Sequence, residues 1–402
     1  MSRPALWTDL DCADLDKTRV YLERSKSSPI NLSLDDDCLT LSDALFEYIP
    51  GATGRLKSVD IDAGPEELQL ISACLYGPAP RLEVLSVGSC GDSVLSCALF
   101  GGDLSSLHKL HLKSVRTELP WRNMVNLTSF TLEHGPPTSV TRFLDFFESA
   151  PHLREVDIIS TTVIPDAQDG RLVPLACLQR MEASGRHRSS PLFNHLLIPV
   201  GARLTMGVKL PDPPTEDRPP RFINNLKNLS SFTAIDLSGW TSSYIFFSGP
   251  SGEVRMDTQS QSIWDCILFE SLAYFDTSNT RWLTITRCGK LSTSDFVYRT
   301  LLPMKFLHTL KIDGCGYPAI YIHVLDPSMS SSGAVVCPEL EELVIMHGVV
   351  LDIKIVVAMA AARASRGAKL KSVKIGPWPE TSYSQPGVLE LKKHVLRVEY
   401  GP

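Results

Sequence analysis

Pro338-Glu339-Leu340-Glu341-Glu342-Leu343-Val344-Ile345 carries a pattern that recurs along the whole chain. A leucine is followed by an apolar residue three positions on, and by another two positions after that. Leu56/Val59/Ile61, Leu82/Leu85/Val87, Leu107/Leu110/Leu112, Leu127/Phe130/Leu132 and Leu153/Val156/Ile158 fit it, as do Leu307/Leu310/Ile312 and Leu370/Val373/Ile375. Leu178/Met181/Ala183 and Leu229/Phe232/Ala234 fit loosely. The early leading leucines, at 56, 82, 107, 127, 153 and 178, are 20 to 26 residues apart. The second and third apolar positions are two apart, so on a strand they share one face. The leading leucine fills the layer below them.

One such unit cannot bury its apolar face alone, whereas stacked units share a continuous core. Period and pattern together predict an α/β leucine-rich-repeat solenoid, a horseshoe with a parallel concave sheet and about twelve units. Turn residues feed the strands, as in Ala79-Pro80-Arg81-Leu82 and Ala150-Pro151-His152-Leu153. The predicted division is 1–29 as an N-terminal helical stub, 30–376 as the solenoid and 377–402 as a C-terminal cap.

Helices are predicted over Asp14–Arg24, Asp43–Ile49, Glu66–Leu75, Val140–Phe147 and Ile353–Ala364, the last stopped by Gly367. Ile30–Leu34 alternates as a first strand, and further strands are expected at Leu204–Leu210, Ile235–Leu237, Val254–Met256 and Leu283–Ile285. The proline-rich run Pro211–Pro220 and the serine-bearing Asp326–Val336 read as loops inserted into repeats. Val388–Val398 reads as an amphipathic helix closing the far end, as solenoids require.

The chain has 402 residues, 43% of them hydrophobic and 21% charged, which suits a large core with a hydrated surface. Its formal charge of −6 argues against general nucleic-acid binding. Arg186-His187-Arg188 is too short to make a basic stripe. There is no apolar run of membrane-spanning length and no signal-peptide layout, so a cytoplasmic or nuclear location is expected, with no membrane partner. The ten cysteines form no C-x-x-C pair and read as small buried residues rather than disulfides or zinc ligands. Asn31, Asn126 and Asn228 each begin a glycosylation triplet, but all lie in strand-like stretches and read as chance matches.

No catalytic constellation is present, and neither cofactor nor metal is expected. Cys288-Gly289-Lys290 lacks the rest of a phosphate loop. Gly314-Cys315-Gly316 follows a strand, but no clear helix is expected after Pro318, which argues against a dinucleotide loop. Ser106 and Lys109 have the S-x-x-K spacing of some acyl enzymes, but they sit at a repeat's leucine position and read as a chance match. His108 and His111 lie on opposite faces of a strand and cannot share a metal.

The ends of the chain carry a resemblance. Pro4-Ala5-Leu6-Trp7-Thr8-Asp9-Leu10 resembles the closing turn of an F-box. Val20-Tyr21-Leu22-Glu23-Arg24-Ser25 and Ser28-Pro29-Ile30-Asn31-Leu32 resemble the connector after it in mushroom-type fungal F-box proteins with leucine-rich repeats. Val388-Leu389-Glu390-Leu391-Lys392-Lys393-His394-Val395 is also similar to those chains. The resemblance implies the substrate-binding part of an F-box subunit of a cullin ubiquitin ligase. It begins at the last turn of the F-box, so a Skp-type adaptor is expected as a partner only where an F-box stands upstream. The other reading is a free-standing repeat scaffold with no ubiquitin role. Either reading is non-enzymatic.

A binding surface follows from the repeat itself. The residue between the second and third apolar positions points away from the core, onto the concave sheet. Those residues are Asp60, Ser86, His111, Thr131, Asp157, Glu182, Lys311, Val344 and Lys374. They are the predicted contacts for a protein target. The early ones lean acidic, and two of the late ones are lysines.

Overall fold

The computed structural model describes residues 4–10, 15–35, 48–95, 99–117, 124–166, 170–184, 190–209, 232–239, 243–250, 252–258, 276–287, 294–329, 334–346, 351–376 and 385–400. The chain is α/β with a mostly parallel sheet, and it divides into two compact units, Met1–Ala202 and Arg203–Pro402. The predicted Asp43–Ile49 helix (up to residue 47), Arg186–Arg188, Pro211–Pro220, Leu229, Cys288–Lys290 and the serines at 330–332 lie outside the described residues.

In the first unit, strands β1 (Asp9–Leu10), β2 (Ile30–Asp35), β3 (Leu56–Asp62), β4 (Val84–Leu95), β5 (Lys109–Thr117), β6 (Ser129–Glu133), β7 (Glu155–Ile159) and β8 (Arg180–Ser184) pair in chain order, every pair parallel. Their register stacks Leu85, Leu110, Phe130, Val156 and Met181 into one inward row, each at most 1% exposed. The leading leucines Leu56, Leu82, Leu107, Leu127, Leu153 and Leu178 are buried as well.

The backbone repeats with the side chains. Leu82, Leu107, Leu127, Leu153 and Leu178 each donate an N–H to the carbonyl three residues back, at 3.0–3.2 Å. The carbonyl just after a leading leucine accepts two N–H groups from the next unit: Glu83 from His108 and Lys109, His108 from Thr128 and Ser129, Thr128 from Arg154 and Glu155. Just past the ends of β6 and β7, His134 and Ser160 turn through left-handed φ values of 50° and 53°, and Ser114 does so at 56° within β5. The His134 and Ser160 N–H groups then reach Ile159 O and Ser184 O at 2.8 and 2.7 Å.

Helix α1 (Leu15–Ser25) is tied to this ladder. Trp7 packs edge-on against Tyr21 at 5.0 Å, with Arg24 over the indole at 4.6 Å. Arg55 donates to Ser28 O at 3.3 Å and to the Ser25 hydroxyl, placing its charge at the helix C-terminus, where a cation is favoured. Helix α2 (Pro65–Cys74) starts on a proline at its first turn and buries Leu68 and Ile71. Helix α3 (Val140–Ser149) is capped by Ser139, whose hydroxyl accepts the Arg142 N–H at 3.3 Å, and it buries Phe143, Phe146 and Phe147.

The second unit contains β9 (Arg203–Lys209), β10 (Ala234–Gly239), β11 (Ser243–Gly249), β12 (Gly252–Thr258), β13 (Trp282–Thr286), β14 (Thr309–Asp313), β15 (Glu342–Met346), β16 (Ser372–Ile375) and β17 (Arg397–Tyr400). β10 and β13–β17 run parallel in that order. β9 is parallel to β12, whereas β10–β11 and β11–β12 are antiparallel. The expected all-parallel sheet is corrected here. The connections at 240–242 and 250–251 are far shorter than the dozen or so residues a parallel crossover needs.

Three further readings change in this unit. First, Ala234 does not point inward: Ile235 and Leu237 do, at 2% and 1% exposure. Phe232 therefore takes the leading position, and Thr233 O accepts the Arg281 and Trp282 N–H groups as the repeat requires. Second, a helix does follow Pro318: α5 (Pro318–Leu325) has that proline in its first turn and buries Tyr321, Ile322 and Leu325. The preceding Gly314 N–H is bonded to Met346 O, and Cys315 is buried against Ile285 O, so this turn serves the ladder. Third, the closing helix runs Gln385–His394, and Arg397–Tyr400 forms β17 on the edge of β16. Val395 and Val398, with the alternation Arg397-Val398-Glu399-Tyr400, suit a strand better than a helix.

Between the strands lie α4 (Ser294–Leu301), α5, α6 (Ile353–Ser365) and α7 (Gln385–His394), and consecutive members touch. Asp352 caps α6 by accepting the Lys354 N–H at 2.9 Å, and Gly367 leaves its far end at φ 79°. Among the described residues no helix is long and apolar enough to cross a membrane.

Candidate protein-recognition face

The face opposite the inward rows is built one residue per strand. In the first unit the parallel register sets Ser33, Asp60, Ser86, His111, Thr131, Asp157 and Glu182 side by side as successive Cα partners. All six residues singled out from this part of the sequence thus fall in one row, joined by Ser33. At about 4.8 Å per strand the row spans roughly 29 Å.

Its far end is crowded with carboxylates. Asp157 Oδ2 lies 3.2 Å from Arg180, which also holds Glu182 Oε2 at 2.9 Å. Asp157 Oδ1 is covered and has no hydrogen-bond partner among the described residues. Burial raises the Asp157 carboxyl above its ordinary value; Arg180 opposes that shift, and Glu182 and Glu155 reinforce it. His111 Nε2 faces Glu133 Oε1 at 3.5 Å. At the near end, Asp9, Leu10, Asn31, Leu32, Ser33, Ser58 and Asp60 line a cleft of about 330 Å³.

In the second unit the corresponding row is Arg255, Phe246, Asp236, Thr284, Lys311, Val344, Lys374 and Glu399. It contains the three residues expected there, Lys311, Val344 and Lys374. Both lysines have local counter-ions: Lys311 sits 3.4 Å from Asp313 and Lys374 sits 3.8 Å from Glu399. Their charge is thus balanced on the face itself.

Sequence reasoning missed Asp236, Phe246, Arg255, Thr284 and Glu399. Asp236 was within reach, since it stands between Ile235 and Leu237 in a predicted strand. Phe246 was hidden in Ser243–Gly249, where no strand was expected. No family model matches the chain, and no curated protein matches it either.

Among the described residues no three His, Cys, Asp or Glu side chains are grouped to hold a metal ion. The Ser106 hydroxyl of the S-x-x-K spacing donates to Pro80 O at 2.7 Å, 26 residues upstream, and so ties its unit to the preceding one. Burial pushes the Cys74 thiol up to about 11 and the Cys337 thiol up to about 12, away from thiolate chemistry. Asn31 and Asn126 donate their amides to Asp9 Oδ1 and Ser105 O at 2.7 and 2.8 Å.

Burial also raises the Asp236 carboxyl, and the Lys311 charge opposes part of that shift. A carboxyl raised in the folded state takes up its proton there first. Its stabilising contribution is present below the unfolded-state value and is lost as pH rises through the folded-state value. Asp236→Asn is therefore expected to raise Tm at pH 7 by a few degrees, on the order of 2 °C for a sub-kilocalorie effect in a unit of this size. The gain should vanish below about pH 3, where wild type is protonated in both states. Thermal melts of both proteins across pH 3–8 check this, and a lower Tm for the variant at pH 7 would contradict it.

Proposed function

We propose that this chain is a leucine-rich-repeat solenoid whose concave sheet face captures a protein, in the manner of the substrate-binding part of an F-box subunit of a cullin ubiquitin ligase. The observation that carries the reading is the single row from Ser33 to Glu182, made of one polar residue per strand over a backbone that repeats its hydrogen bonds unit by unit. A row of this kind offers a long, rigid surface that costs little ordering entropy on binding. It can be varied without disturbing the buried rows beneath it. The packing of Trp7, Tyr21, Arg24 and Arg55 around α1 supports the N-terminal segment as a connector fitted to the repeats. A Skp-type adaptor belongs to this proposal only for a form with an F-box upstream.

The test is affinity capture with the full chain, with Asp157→Lys/Glu182→Lys, and with Glu66→Lys on the exposed side of α2. The paired reversal is expected to lower recovery of the captured protein at least tenfold, through like-charge repulsion at the row. Glu66→Lys should leave recovery unchanged. Equal recovery by all three removes the face from the proposal. Adaptor binding is read separately, by co-purification with and without upstream coding sequence.

A further inference from the structure

Asp236 occupies an unusual place on the second unit's face. Ile235 and Leu237 point inward at 2% and 1% exposure, so Asp236 points outward between them. Its Cα partners are Phe246 on β11 and Thr284 on β13, and Trp282, two residues before Thr284, is its diagonal neighbour. Trp282 is 48% exposed although it lies in a strand. The Oδ1 oxygen of Asp236 is covered and has no hydrogen-bond partner among the described residues. Along the row the cations Lys311 and Arg255 each stand two strands away, and Lys311 pairs with Asp313 at 3.4 Å. Arg255 is stacked 4.7 Å over the Tyr244 ring.

We propose that Asp236, framed by Phe246 and Trp282, receives a lysine or arginine side chain of the protein partner, a reading that rests on the recognition role proposed above. Desolvation selects the occupant. An apolar side chain laid over this spot would strip water from a carboxylate whose Oδ1 has no hydrogen-bond partner among the described residues, leaving its charge uncompensated. An acidic one would be repelled. A neutral amide could donate a hydrogen bond, but only at about half the strength of a charge-assisted one. A cationic head group meets the carboxylate directly, beside two aromatic side chains of a kind that attracts cations. Trp is also among the residue types that dominate binding energy at interfaces.

The probe is a set of immobilised random decapeptide pools, each with one fixed central residue: Lys, Arg, Gln, Glu or Leu. The full chain is passed over them at two salt concentrations. Retention on the Lys and Arg pools is expected to exceed that on the Gln pool at both. Asp236→Asn should lower Lys and Arg retention about tenfold, even though it is expected to melt no lower than wild type. Trp282→Leu should lower it several-fold, Trp282→Phe should restore most of it, and Glu66→Gln on α2 should change nothing. Equal retention of the Gln pool, undiminished binding by Asp236→Asn, or retention of no pool would each overturn the proposal. Neutral pools that bind and are lost with Asp157→Lys/Glu182→Lys would leave the recognition role standing and remove only the cation site. A face variant set that leaves every partner bound would remove the recognition role itself.

Discussion

Arg363→Ala is expected to destabilise the protein by about 3 kcal/mol. Arg363 is fully buried in α6, at 0% exposure, an extreme place for a guanidinium. Its Nη1 donates to Val336 O at 2.7 Å and its Nη2 to Cys337 O at 2.8 Å. These carbonyls flank a left-handed residue, since Cys337 has φ 47°. The arginine thus clamps the turn that leads into β15 onto the helix behind it. Cys337 O keeps a second donor, the Leu340 N–H at 3.0 Å, so the deletion mainly orphans Val336 O and empties the space of the side chain's stem.

Two opposing terms decide the net effect. Burial pulls the Arg363 pKa down and makes the cation costly, opposed in part by Cys337, and its Nε has no partner among the described residues. Against that stand two charge-assisted hydrogen bonds and the packing of the stem. Arg363→Met separates the terms, because it keeps the stem and removes both the charge and the bonds. Urea unfolding should place Arg363→Met between wild type and Arg363→Ala. A methionine variant as stable as wild type would mean that desolvation cancels the hydrogen bonds.

Phe146→Ala is expected to cost about 4 kcal/mol, in the upper part of what aromatic-to-alanine core changes cost. The ring is 1% exposed on α3, with its centroid 4.5 Å from Phe130 on β6 and 5.5 Å from Phe147. It couples a helix to the inward row of the sheet, so its loss opens a void that neither element can close alone. The void would merge with a cavity of about 20 Å³ bordered by Val115, Leu132 and Phe143. Phe146→Leu should recover more than half of the loss, because it refills most of the volume. Leu70→Ala, on the same unit but 52% exposed, should stay within about 0.5 kcal/mol of wild type. Denaturant midpoints at unchanged m-value measure all three. A loss under 1 kcal/mol for Phe146→Ala would show that α3 and the sheet can repack without it.

Much of the architecture could be read from single residues because the deciding rules are local. A strand alternates its faces every second residue, so Val156 and Ile158 announce a core and Asp157 announces the opposite face. Where the leading position holds leucine, the match between the expected and observed rows is complete. Where other residues hold it, the pattern fades. Phe232 and Thr280 lead two repeats of the second unit, and Thr280 is fully buried with its N–H bonded back to Thr277 O, as a leucine's would be. Val395 is likewise buried ahead of Val398 and β17, which is why a strand was read as the end of a helix. Each of these positions needs a residue that fills a layer, and leucine is only the commonest way to do so.

The sequence by itself determined which side is buried in the strands that a leading leucine announces, that these strands follow one another as units, and that the polar residue between two apolar ones looks outward. Adjacency it could not determine. That Asp236 lies beside Phe246 follows from an antiparallel turn, that Asp157 lies beside Arg180 from the stacking of two parallel strands, and that Arg363 closes on Val336 from a helix lying over a turn 27 residues upstream. The environment of a charge is set by what the fold places within a few ångströms of it, and no local periodicity records that distance.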